Sequence, residues 1–217
     1  MEEMERVYFD AEFTGLYRNA KLISIGFVSE HNIGFYAEFN DYEQSKVDLW
    51  IEKNVIENLK YNDHHTHLRC HVPVDCFTSK RKIVEHIEMK NDSSEIRYKL
   101  MGWLSDQLQL TDSKQIRIMT DCYAYDWMLL VDLLTEGRSA LDMPDWINYI
   151  PIDLSTMLYA NGVDPDVNRE EFIRPLQPGL AGNPNHMGSE AKHNSLWDAM
   201  VIKEAFHQLE IYRAHNH

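Results

Sequence analysis

The chain has 217 residues, 44% of them hydrophobic and 26% charged, the balance of a globular protein long enough to bury a core of its own. Its 21 Lys and Arg stand against 35 Asp and Glu, and the resulting net charge of −14 excludes a protein that coats long nucleic acid by neutralising phosphates. No apolar run approaches the roughly 20 residues of a membrane span, and the acidic start MEEMERVYF lacks the basic and apolar regions of a signal peptide.

Residues 6–13 (RVYFDAEF), 21–30 (KLISIGFVSE) and 32–39 (NIGFYAEF) are rich in β-branched and aromatic residues and read as three strands. A loop at Gly15 joins the first two and a short hairpin at 30–32 joins the next, so the chain opens as an antiparallel meander. Trp50, Ile51, Val55, Ile56 and Leu59 recur at helical spacing over 47–59. Residues 60–78 have no period and read as loop, and 79–110 reads as helix, with a break near 90–94 and Ser94 as a cap. IRIMT (116–120) is a buried-type strand, and a helix over 125–136 ends at Gly137. A fifth strand is expected within 148–154, then a helix closed by Gly162. Residues 163–188 form a long proline-bearing loop with one short helix at 169–172, and the last helix spans 193–212. No repeat or linker divides 1–217, so one domain is expected: an α/β sandwich with a mixed five-stranded sheet flanked by helices. Three scattered cysteines, Cys70, Cys76 and Cys122, do not make a disulfide framework, and the expected setting is the reducing cytosol.

Asp10 and Glu12 lie two apart in the first strand, so both carboxylates point to one face. Paired acids on a strand with apolar neighbours repel unless a cation holds them, and hard Mg²⁺ or Mn²⁺ is the natural partner of carboxylate oxygens. Asp126 starts a helix just after a strand, at the carboxyl end of the sheet, where open α/β sheets place ligands. Asp121 nearby reads as a turn or cap residue. His193 and Asp198 fall at the start of the last helix, in HNSLWDAM, where the apolar neighbours put Asp198 at the border of a packed face.

In this order the residues resemble the DEDDh 3′–5′ exonucleases, which include proofreading exonucleases, RNase T and oligoribonuclease and have a ribonuclease H-like fold. FDAEFTGL is similar to the first motif, Tyr125-Asp126 to the second and HNSLWDA to the third; Asn194 stands four before Asp198 where a Tyr-type motif has tyrosine, so the resemblance favours the His class. KLISIGFVSE, WIEKNVIENL and AYD resemble a small bacterial RNase T-like exoribonuclease branch. The resemblance implies hydrolysis of single-stranded RNA or a 3′ overhang from its 3′ end, with two divalent cations (Mg²⁺ or Mn²⁺) held by Asp10, Glu12, Asp126 and Asp198. His193 would be the general base. Phe13, Thr14, Gly15 and Leu16 would meet the terminal nucleotide, Leu16 as a wedge against the base and Thr14 at the sugar. The resemblance also admits a homodimer and a closing loop before His193 that contains Gly182, Pro184, Asn185 and Gly188. DNA is the alternative polymer.

Two readings from other classes compete. One is a nucleic-acid-binding module that has lost activity. The other is a zinc-stabilised interaction protein, since His64, His65, His67, Cys70, His71 and Cys76 cluster without a standard zinc spacing. Arg169, Arg174 and Lys192 are candidate phosphate contacts, as is the run Lys80-Arg81-Lys82, and Tyr123, Tyr125 and Trp127 are candidate stacking rings.

Overall fold

A computed structural model describes residues 4–61, 77–78, 83–84, 86–173 and 193–216. The His/Cys cluster 64–76, the basic run 80–82, Arg174, Lys192 and the glycine-bearing segment 182–188 lie outside the described residues.

The meander forms as its sequence demands. Strands β1 (Met4–Phe13), β2 (Leu22–Ser29) and β3 (Gly34–Phe39) pair antiparallel, and Asn32 takes the left-handed turn position between the last two at φ 59°. Leu49–Asn54 forms a short helix α1, capped by the Asp48 side chain on the amide of Ile51. Ile51, Val55 and Leu59 pack on Ile23, but the helix stops well short of residue 59 and continues only as a 3₁₀ turn at Ile56–Asn58.

The stretch 60–78 expected as loop ends in a strand, β4 (Phe77–Thr78), and the segment expected as a helix from 79 also carries strands: β5 (Ile83–Val84) pairs with β4, and β6 (Ile87–Asn91) adds to the main sheet parallel to β3. The helix α2 spans only Ser93–Thr111, and Asp92, rather than Ser94, caps it by accepting from the amide of Glu95. The sheet therefore has six strands, not five. The rest follows as β7 (Gln115–Thr120), α3 (Tyr123–Thr135), β8 (Ile152–Asp153), α4 (Leu154–Ala160), α5 (Arg169–Ile173) and α6 (Ser195–Asn216). The fifth strand expected over 148–154 is thus cut to two residues. Gly137 and Gly162 have φ values of 76° and 74° beyond the ends of α3 and α4, the backbone that lets each chain leave its helix.

The strand order is β6-β3-β2-β1-β7-β8, with β1 parallel to β7 and β7 parallel to β8. This α/β arrangement, a meander followed by parallel strands, is compatible with a ribonuclease H-like fold. One face of the sheet buries Val7, Phe9, Ile25, Phe27 and Phe35 against α2 and α3 through Trp103, Leu100 and Trp127. The other face lies under α6, which contributes Trp197, Val201, Ala205 and Phe206 together with Leu154 and Leu158 of α4. Helix α6 is buried around most of its first half because sheet, α4 and α5 enclose it, so its apolar residues follow no single stripe. Among the described residues, no helix is long and apolar enough to cross a membrane.

Candidate active site

Alternation along β1 puts Arg6, Tyr8, Asp10 and Glu12 on the face turned to α6. Their cross-strand partners decide how close that helix can come. Asp10 stands opposite Gly26 and Glu12 opposite Ser24, the two small residues of β2 on this face. A Cβ on Gly26 would sit 2.2 Å from the carbonyl carbon and oxygen of Ser195 and 2.3 Å from the amide nitrogen of Leu196. The backbone of α6 therefore rests on the sheet at Gly26, and the hydroxyls of Ser24 and Ser195 meet beside it at 3.0 Å. An isolated glycine in an apolar strand often marks such a close approach, which is the one signal in ISIGFVS that could have located it.

Asn194 begins the helix. Its carbonyl accepts from the amide of Asp198 at 2.9 Å, and its side chain accepts from the amide of Trp197 at 3.3 Å. His193, one residue earlier, has a left-handed backbone at φ 66° and donates its own N–H to Asp198 Oδ2 at 2.9 Å. Its imidazole Nδ1 lies 3.6 Å from Glu12 Oε1, and the Trp50 ring packs against it nearly edge-on, 5.3 Å between centroids and 75° between planes. Glu12, His193 and Asp198 each offer one ligand atom within 4.8 Å of the other two.

Asp126 arrives from the first turn of α3. Strand β7 pairs with β1 only as far as Phe9–Thr120, and beyond it the carboxylate of Asp126 accepts the amide of Ala11. Burial pushes Asp126 well above the usual carboxylate range, and Glu12 and Asp121 add repulsion. Asp10 is also pushed well up, first by burial and then by Asp198, Asp126, Glu12 and Asp121. Of the five residues the sequence singled out, Asp10, Glu12, His193 and Asp198 line one cleft of about 440 Å³, and Asp126 is buried behind it.

The cleft holds residues that sequence reasoning missed. Asp166 and Asn168, before α5, and Glu170 on it line the opposite wall, and the indole N–H of Trp197 donates to Glu170 at 3.4 Å. Arg169 lines the cleft but is not a free phosphate contact. Its Nε and Nη2 grip Asp121 at 2.7 and 3.0 Å, while Nη1 and Nη2 donate to the carbonyls of Val167 and Pro165. Ser155 donates to the same carboxylate at 2.8 Å. Asp121 is thus more than a turn residue: it ties β7 to α4 and α5.

No protein-family model and no curated protein matches the chain.

The segment after Glu12 divides. Leu16 projects from the loop at 70% exposure, and Gly15 takes φ 142°. Phe13 stacks on Tyr125, centroids 5.9 Å apart, and so backs the loop from α3. Thr14 is buried, and its hydroxyl oxygen accepts from Tyr17 Oη at 2.8 Å and from the amide of Lys21 at 3.0 Å. It fastens the loop rather than facing a sugar. Among the three candidate stacking rings, Trp127 is core, Tyr125 is taken by Phe13, and Tyr123 is half exposed.

Proposed function

We propose that the protein is a metal-dependent 3′–5′ exonuclease that releases nucleoside monophosphates from the 3′ end of single-stranded RNA in the cytosol. The observation that carries this reading is the meeting of Asp10, Glu12 and Asp198 with His193 at the carboxyl end of β1, with Asp126 behind them. Among the described residues, the one Lys or Arg lining the cleft is Arg169, and it is held by Asp121. Among the described residues, a phosphodiester entering that cleft would meet carboxylates and no free Lys or Arg. The donor set therefore fits two hard divalent ions, Mg²⁺ or Mn²⁺, which when bound activate water and offset charge on the reacting phosphate. Asp10, Glu12, Asp126 and Asp198 would hold them.

The chain's own groups then have distinct tasks. His193 takes a proton from the attacking water, and the left-handed backbone and the bond to Asp198 fix where its ring begins. The P–O3′ bond breaks, and the leaving oxygen gains a proton from solvent. Leu16, exposed on the loop after Glu12, offers the terminal base an apolar contact. RNA over DNA and a homodimeric state follow from the RNase T-like resemblance.

The test uses 5′-labelled RNA and DNA oligomers of one sequence with Mn²⁺, Mg²⁺ or EDTA. Shortening from the 3′ end that disappears with EDTA and in Asp10→Ala is the expected result. No shortening of either polymer with either ion would refute the reading and favour a binding module.

A further inference from the structure

The same three side chains that meet in the cleft also make a second kind of cation site. We propose that Glu12, His193 and Asp198 capture a borderline transition ion of the Zn²⁺ type through the His193 imidazole, and that this takes the base out of the reaction. The consequence for hydrolysis rests on the exonuclease reading; the binding does not.

The geometry of the donors is the first argument. Two ligands on a tetrahedral Zn²⁺, with bonds of about 2.0–2.1 Å, stand about 3.4 Å apart. His193 Nδ1 and Glu12 Oε1 are 3.6 Å apart in the folded chain, and Asp198 supplies an oxygen within 4.8 Å of both. The His193–Glu12 pair therefore already stands near ligand spacing before any ion arrives, and a small shift of the Asp198 carboxylate would close a three-ligand site with the fourth position left to water.

Preorganisation is the second. His193 is not a surface histidine that swings. Its backbone is left-handed, its N–H is bonded to Asp198, and the Trp50 ring stands edge-on to the imidazole. Asp198 is anchored in turn by the first turn of α6, where its amide bonds to Asn194. Rings and carboxylates held in this way lose little freedom on binding.

Ion preference is the third. Mg²⁺ demands near-octahedral oxygen ligation and gains little from an imidazole, whereas Zn²⁺ accepts mixed nitrogen and oxygen donors and binds such sites more tightly than Mn²⁺. One lone pair cannot both bind an ion and accept a proton from water. The ion that uses His193 is therefore an inhibitor, and the ions that leave it free are activators.

The experiment is metal titration of the full-length, EDTA-stripped protein by competition with a chromophoric chelator, using Zn²⁺ and Mn²⁺ in turn. The chain has 11 histidines, so the reading is the difference between wild type and His193→Asn. Asparagine tolerates the left-handed backbone and keeps the amide bond to Asp198, and thermal melting checks that the variant folds. The expected result is loss or at least about 100-fold weakening of one Zn²⁺ site in H193N, with Mn²⁺ affinity changed less than about 3-fold. Equal Zn²⁺ binding by the two proteins would overturn the proposal. So would an equal loss for both ions, which would make His193 a support for the carboxylates and not a ligand. A parallel assay adds equimolar Zn²⁺ to Mg²⁺-driven hydrolysis. Quenching in wild type is expected; undiminished turnover would overturn the inhibitory role. A wild type inactive with every ion would sink the exonuclease reading while the binding comparison still decides the Zn²⁺ site.

Discussion

Gly26→Ala tests whether the close approach of α6 to the sheet builds the site. The added methyl would lie 2.2 Å from the Ser195 carbonyl, where ordinary contact begins at 3.4 Å, so helix and strand must separate by about 1 Å. The obstacle is backbone on both sides, and neither a rotamer change nor a bending side chain can relieve it. Overpacking of this kind costs about 1–3 kcal/mol, and an immovable neighbour puts the cost near 3. The chemical effect is larger. Asp10 and Glu12 ride on β1, paired to β2, while His193 and Asp198 ride on the start of α6, so the shift moves one half of the site against the other. A misplacement of about 1 Å costs on the order of 100-fold in rate. Urea denaturation of wild type and G26A gives the first quantity, and Mn²⁺-dependent shortening of a labelled oligomer gives the second. A G26A protein as stable and as active as wild type would refute the account of how α6 docks.

Three more outcomes follow from other residues. Burial, with repulsion from Glu30, lifts Glu5 from 4.5 to about 7. A raised folded value means the protonated acid's stability is full below the unfolded pKa and is lost as pH rises through 4.5 to about 7, a fall of about 3 kcal/mol. Glu5→Gln removes that fall, so its gain over wild type should be near zero in acid and about 3 kcal/mol above about pH 7 in urea melts; a gain independent of pH would contradict it. Asp10→Asn relieves repulsion among the site acids, so without metal it should melt higher than wild type, by about 2–4 °C per kcal/mol relieved, and with Mg²⁺ the order should reverse. A wild type that melts higher even in EDTA would argue against crowded charge in the cleft. Trp50→Ala removes the edge-on ring contact with His193, worth about 1 kcal/mol, and should lower kcat about 5-fold with KM nearly unchanged, while Trp50→Phe recovers most of it. A rise in KM alone would show that Trp50 touches substrate instead.

Much of the site is written in local periodicity. Two acids two apart in a strand must share a face, whatever the rest of the chain does, and Asp10 and Glu12 do so. The start of α6 is nearly as local: the sequence places it at 193, and the helix begins at Ser195, two residues later. What escaped the sequence depends on distant partners. Arg169 reads as a free cation until Asp121, 48 residues away, is placed against two of its three nitrogens. Thr14 reads as a polar residue two after Glu12 and free to face a ligand until Tyr17 and Lys21 close the loop on it. The strand Ile87–Asn91 is short and half-polar, and its conformation comes from pairing with β3, not from its own pattern. Its end was legible even so, because Asp92 caps the following helix close to the expected break.

The two ends of the β1–α6 contact are treated oppositely, and that difference explains how the fold tolerates its site. At the start of β1, charge is compensated. Burial would raise Glu30, but bonds from His207 and Tyr8 and the attraction of Arg6 outweigh it and bring the acid down to about 2. Lys203 on α6 donates to the carbonyls of Ser29 and Glu30 and to Asn32, and Arg6 reaches Glu210. This end fixes the register of helix on strand through groups that satisfy one another. At the other end, one and two side chains further along the same face, Asp10 and Glu12 share a cleft with Asp198; burial and then the neighbouring acids raise the cost of ionising Asp10, and among the described residues the basic groups lining that cleft are His193 and Arg169, the latter held by Asp121. A strand and a helix locked at one end can hold repelling carboxylates at the other, where a flexible scaffold would let them part. A cation bound there would relieve the repulsion, and by linkage its binding would stabilise the fold. Stability of the native chain should accordingly respond to divalent ions through these acids, and that response should vanish when Asp10 and Asp198 are made amides.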